Sequence, residues 1–66
     1  MDISKIRQNL VEARGEKTQT EVAKDLGISV SSLSMYETGE RVPRDEVKEQ
    51  LARYYGKTVG GLFFGE

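Results

Sequence analysis

The sequence predicts an all-α fold, a compact bundle of five short helices forming a single domain over 1–66. Three observations predict it. Apolar residues recur at helical spacing along most of the chain. Strict polar–apolar alternation, the mark of a half-buried strand, is nearly absent. The periodic stretches are separated by only a few residues, and each break carries a glycine.

The first helix is expected over roughly 2–14, with Ile3, Ile6, Leu10 and Ala13 on one face and Gly15 closing it in the left-handed conformation. Thr18-Gln19-Thr20-Glu21 is a T-x-x-E capping box, so the second helix opens there. Its hydroxyl and carboxylate each cover an amide that the helix leaves without a partner. Val22, Ala23 and Leu26 form its apolar stripe, and Gly27 stops it after about two turns. Ser29 is the N-cap candidate of the third helix, with Ile28 and Leu33 at the two positions of a hydrophobic staple. Leu33 and Tyr36 point inward, and Thr38-Gly39 breaks the helix.

Residues 39–44 form a loop, with Pro43 where a new helix would begin. The fourth helix is expected over roughly 44–55, with Val47, Leu51, Tyr54 and Tyr55 inward. Asp45, Glu46 and Glu49 near its start and Arg53 near its end suit the helix dipole, and Gly56 ends it. A last turn, about 58–63, brings Val59, Leu62 and Phe63 to one side.

Composition narrows the function. With no Cys, disulfides and thiolate metal sites are impossible, and with no His the commonest general base and metal ligand are gone. A chain of 66 residues has little room to enclose a substrate, so neither an enzyme nor a cofactor or metal site is expected. No apolar run reaches the ~18 residues that cross a bilayer, and Met1–Leu10 carries charges throughout, without a signal-peptide core. A cytoplasmic, non-membrane domain is expected. Ten Lys and Arg oppose eleven Asp and Glu, for a net charge of −1. The isoelectric point is about 5.4 and the mean hydropathy −0.56. Any binding to nucleic acid must therefore come from local placement of charge.

The three-residue connection Gly27-Ile28-Ser29 is too tight to lay two helices antiparallel and reads as the turn of a helix-turn-helix. Counting from Gln19, the fifth residue is the small Ala23 and the ninth is Gly27, at the close crossing and the turn. Leu26, Leu33 and Tyr36 supply the packing between the two helices. Thr18 to Ser29, Leu33 to Gly39, Arg41-Val42-Pro43 and the ending Tyr55 to Phe64 together resemble the Xre/Cro/CI type of phage and bacterial DNA-binding regulators. The resemblance runs from about Ile6 to Phe63 and implies a lambda repressor-like domain that binds double-stranded DNA.

By that resemblance the third helix enters the major groove, with Ser29, Val30, Ser31, Ser34 and Met35 on base edges. None is charged. Serine hydroxyls read bases ambiguously, and Val30 and Met35 suit thymine methyls, so modest direct readout is expected, with DNA shape contributing more. Taken blindly, Ser31, Ser32 and Ser34 read as solvated serines. The turn ahead of them favours base contact for Ser31 and Ser34. For Val30, core packing and base contact both stand. Phosphate contacts are implied for Gln19, Thr18, Thr20, Thr38 and Arg41, with Lys17 and Arg44 as extras.

The sequence also departs from the family pattern. One extra residue lies between Gly15 and Gln19, and Lys17 replaces the usual apolar staple. The family's helix-1 arginine, partner of the acid at Glu37, falls at Val11, with Arg7 and Arg14 flanking it as substitutes. Glu40 stands where a basic residue is common. Tyr54, Tyr55, Phe63 and Phe64 are four of the five aromatic residues. Two adjacent pairs cannot all point inward, so Tyr54 or Phe64 is expected at a homodimer interface. The expected function is a sequence-specific transcriptional regulator, a repressor that binds a palindromic operator as a dimer. No small-molecule effector is expected. The alternative is a protein-interaction module on the same fold, such as the antitoxin of a toxin–antitoxin pair.

Overall fold

Five helices follow from the caps and glycines already described, and the computed structural model describes residues 3–65. They are α1 (Ile3–Arg14), α2 (Gln19–Leu26), α3 (Val30–Thr38), α4 (Asp45–Tyr55) and α5 (Val59–Phe63), with no strand among the described residues. The expected start of the first helix at residue 2 lies outside the described residues. None of these helices is long and apolar enough to cross a membrane.

Local chemistry sets the boundaries. Thr18 caps α2 through the expected capping box: its hydroxyl accepts from the Glu21 amide at 3.1 Å, and the Glu21 carboxylate accepts from the Thr18 amide at 3.4 Å. Gly27 adopts φ +70, and the Gly27 and Ile28 amides donate to the Lys24 and Ala23 carbonyls. This pair of bonds covers the last carbonyls of α2 and turns the chain at once toward α3. Ser29 caps α3 and Thr58 caps α5, each accepting from the amide three residues on. The fifth helix therefore starts at Val59, with Thr58 as its cap.

Leu10, Val22, Leu33, Leu51 and Phe63 are fully enclosed, one from each helix, and Ile6, Ala23, Tyr36, Ala52 and Leu62 complete the core. Helix α3 packs against both α1 and α2, while α5 closes the far side against α1 and α4. Asn9 fastens that closure, donating from its side-chain amide to the Gly61 and Leu62 carbonyls at 3.3 and 3.2 Å, the open end of α5.

Two expectations are corrected, and one burial is new. Ile3 is 38% exposed, at the end of α1, where it lies over Gly39 instead of entering the core. The fourth helix begins at Asp45. Arg44 is extended (φ −66, ψ 163) and serves as its N-cap, so Pro43 lies two residues ahead of the helix and is itself buried. Lys48, not singled out from the sequence, is 8% exposed on the inner side of α4. Its ammonium sits 5.8 Å from the Phe63 ring and 5.3 Å from the Phe64 ring, and 3.8 Å from Asp45. The stem covers apolar surface while the charge reaches an aromatic face and a carboxylate.

Gly39 and Gly27 separate two demands on glycine. Both have positive φ, but a Cβ at Gly27 would meet nothing within 4 Å, whereas one at Gly39 would lie 2.6 Å from Ile3 Cγ2 and 2.9 Å from Arg7 Cδ. Gly27→Ala should cost about 1 kcal/mol from backbone strain alone, and Gly39→Ala about 2 kcal/mol because α1 must also shift. Urea unfolding of the two variants checks this, and equal losses would contradict the close approach of α1 to Gly39.

Candidate nucleic-acid interface

Helix α3 has two faces with different work. Leu33, Tyr36 and Glu37 are buried. On the opposite side Val30 and Ser31 are exposed and Ser34 and Met35 half-buried. These four line one shallow surface concavity with Gln19 and Glu40. Val30, at 42% exposure, is outside the core, which removes the packing alternative for that residue.

Glu37 fixes how that outer face is presented. Its carboxylate is 4% exposed and accepts from Arg14 Nε at 2.8 Å and Arg14 Nη2 at 3.1 Å. Gln19 Nε2 donates to the same carboxylate at 2.9 Å. The remaining arm of Arg14, Nη1, donates to the Lys17 carbonyl at 2.8 Å. One acid on α3 thus holds the end of α1, the loop after it and the first residue of α2. Of the two arginines flanking Val11, Arg14 makes the pair. The stem of Arg7 packs beside Gly39 instead. The hydrogen bond from Arg14 to Glu37 raises the Arg14 pKa above its ordinary value, against the opposing effect of burial.

The other residues singled out from the sequence divide by how they are engaged. Ser29 is committed to its cap: the hydroxyl accepts from the Ser32 amide at 3.0 Å and donates to the Ser32 hydroxyl at 2.9 Å. Thr18 is engaged in the capping box, and Thr20 is exposed in the first turn of α2 beside it. Thr38 is exposed and donates to the Met35 carbonyl at 3.2 Å. Arg41 is exposed, with its backbone amide on the same carbonyl at 3.3 Å, and Arg44 is exposed at the start of α4. Lys17 is drawn elsewhere. Its ammonium donates to the Tyr54 hydroxyl at 3.0 Å and stands 5.0 Å from the ring centre, and this hydrogen bond raises its pKa. The Tyr54 hydroxyl in turn donates to Asp25 at 2.6 Å. Tyr54 is therefore half-buried and bound within its own chain, while Phe64 is 55% exposed. The Lys17–Tyr54–Asp25 chain joins residues 29 and 37 positions apart. No local spacing signals such a link.

The helix-turn-helix family model matches residues 8–62, which contain α2, α3 and the Arg14–Glu37–Gln19 contacts. The chain belongs to the Xre/Cro/CI-type helix-turn-helix family of DNA-binding transcription regulators. It is also similar to the cryptic phage CTXphi transcriptional repressor RstR of Vibrio cholerae, at 37% identity over 59 residues. That match covers 89% of this chain and 51% of the relative, so the chain spans about half the relative's length. No solved structure matches it. In this family member the helix-1 arginine lies at the last residue of α1, and its guanidinium still reaches the acid of α3.

Tyr55 lies behind this ion pair, and its buried hydroxyl has no hydrogen-bond partner among the described residues. Burial pushes its phenol up to about 12, the Glu37 carboxylate adds to the rise, and Arg14 opposes it. Below an unfolded pKa of about 10 both states hold the proton. Above it the unfolded chain loses the proton first, so stability falls as pH climbs toward 12. Tyr55→Phe should remove this alkaline loss and change stability near neutral pH by less than about 1 kcal/mol, since no hydrogen bond is broken. Urea unfolding from neutral to alkaline pH checks it, and an unchanged alkaline slope would contradict it.

Proposed function

We propose that the chain is a sequence-specific transcriptional repressor that binds a palindromic operator in double-stranded DNA as a two-fold dimer. Helix α3 lies in the major groove. The single observation that carries the reading is the two-sidedness of α3. Leu33, Tyr36 and Glu37 anchor it inward, and Val30, Ser31, Ser34 and Met35 line an accessible concavity beside Gln19. Ser31 and Ser34 offer hydroxyls to base edges, and Val30 and Met35 offer apolar contact to thymine methyls. The similarity to a phage transcriptional repressor supports the repressing role.

Phosphates are held by Arg41, Arg44 and Thr38 on one side of α3, and by the N-terminus of α2 with Thr18, Thr20 and Gln19 on the other. Lys17 joins them only when its ammonium leaves Tyr54. The dimer forms through the C-terminal aromatic region, where exposed Phe64 stands beside Lys48. Half-sites then lie about one helical turn apart. The chain acts in the cytoplasm and needs no small-molecule effector. Occupancy is set by concentration and operator affinity.

The uncharged stripe of α3 also suits a protein-interaction module such as an antitoxin. A gel-shift titration against a random duplex pool separates the two. An enriched sequence supports the repressor, and none at low salt supports the module.

Ser31→Ala with Met35→Ala should weaken binding to the selected site by about 1–3 kcal/mol for each base pair whose contact is lost, with thermal unfolding nearly unchanged. Arg41→Ala should weaken all duplexes alike and reduce the salt dependence by roughly 0.9 per phosphate contact. Full affinity in the double variant would remove α3 as the reader. Sedimentation at micromolar concentration should give a dimer that Phe64→Ser dissociates. A monomer both with and without operator DNA would remove the dimer.

A further inference from the structure

The concavity on α3 holds a carboxylate that phosphate binding cannot use. Glu40 is exposed and lines it with Ser31, Ser34 and Met35. The loop brings it there, because the Arg41 amide bonds back to the Met35 carbonyl and folds the chain against the end of α3. No Lys or Arg is among the lining residues to neutralise it. Gln19, on the opposite side, adds to the same polarity. Its NH2 donates to the Glu37 carboxylate, which can only accept, so its carbonyl oxygen faces away from Glu37.

The polar side chains lining the concavity are therefore a carboxylate, an amide whose NH2 is engaged by Glu37, and two hydroxyls. Such a set is matched in the major groove by an exocyclic amine. Guanine offers the acceptors N7 and O6 there and thymine offers O4, and a carboxylate repels all three. Adenine N6 is also a donor, but the acceptor N7 lies beside it and repels a carboxylate, whereas cytosine N4 has no acceptor beside it in the groove and is the donor that Asp and Glu accept from.

Resting on the DNA-binding reading above, we infer that Glu40 is a specificity-determining residue: its carboxylate accepts a hydrogen bond from cytosine N4 and disfavours guanine at that position. The acid weakens attraction to the backbone at every sequence and recovers affinity only where the amine is present. Discrimination then comes as much from repulsion of the wrong base as from attraction of the right one. This fits a protein with net charge −1, in which bulk attraction to DNA is already small.

Selection of bound sites from a random duplex pool by the full chain and by Glu40→Ala, at one salt concentration, tests the inference. The unaltered chain should enrich a motif with a cytosine at one position of each half-site. The variant should lose that preference and keep the rest of the motif. Exchanging that C·G pair for G·C should weaken the unaltered chain about tenfold and the variant little. A variant that keeps the whole motif while binding every duplex more tightly by a common factor would overturn the inference, since Glu40 would then only repel phosphate. A motif with no cytosine preference would overturn it too and leave the DNA-binding reading standing. No motif at all for the unaltered chain would remove both.

Discussion

One buried carboxylate orders the packing of α1, α2 and α3. Glu37 is on the inner face of α3, and in this small core an unpaired charge there would be strongly destabilising. The Arg14 fork and the Gln19 amide satisfy it together. Because those partners come from the end of α1 and the start of α2, satisfying the charge also sets the rotation of α3 about its axis. The rotation that buries Glu37, Leu33 and Tyr36 turns Val30, Ser31, Ser34 and Met35 outward. The exposed stripe of α3, which the proposed function makes the reading surface, is thus a consequence of an ion pair on the opposite side of the same helix.

The same economy governs the charges. Ten cations are few for a DNA-binding protein, and several are engaged internally. Arg14 holds Glu37, Lys17 lies on Tyr54, and Lys48 is packed over Phe63 and Phe64. In the proposed complex, attraction to the phosphate backbone is left to exposed side chains such as Arg41 and Arg44 and to the N-terminus of α2. On the proposed function, sequence preference then depends on the shape and hydrogen-bonding polarity of one shallow surface, and by the inference drawn for Glu40 its single charge has a large share of it.

The elements that were legible in the sequence are those written in local chemistry. The Thr18 box, the Ser29 cap, Gly27 and Gly39 each act within a few residues, and their spacing alone locates α2, the turn and α3. Glu37 as an ion-pair partner was legible as well, but not which of Arg7 and Arg14 would meet it, since both flank Val11 on one face. The extra residue before Gln19 alters how the end of α1 meets α2, and the structure resolves the choice through the lateral approach of Arg14. The same reason hides the burial of Lys48 and the Lys17–Tyr54–Asp25 chain. Each depends on which helix lies beside another, and period and capping carry no information about that.

Following backbone amide resonances while an operator duplex is titrated in tests the central claim most directly, because it reports on every element at once. With α3 as the reader, the largest shifts fall on Val30, Ser31, Ser34, Met35 and Glu40 and on the α2 start at Gln19 and Thr20, while Asn9, Gly61 and Leu62 on the far side stay still. Shifts centred on Asn9, Gly61 and Leu62, with the α3 stripe unmoved, would contradict it.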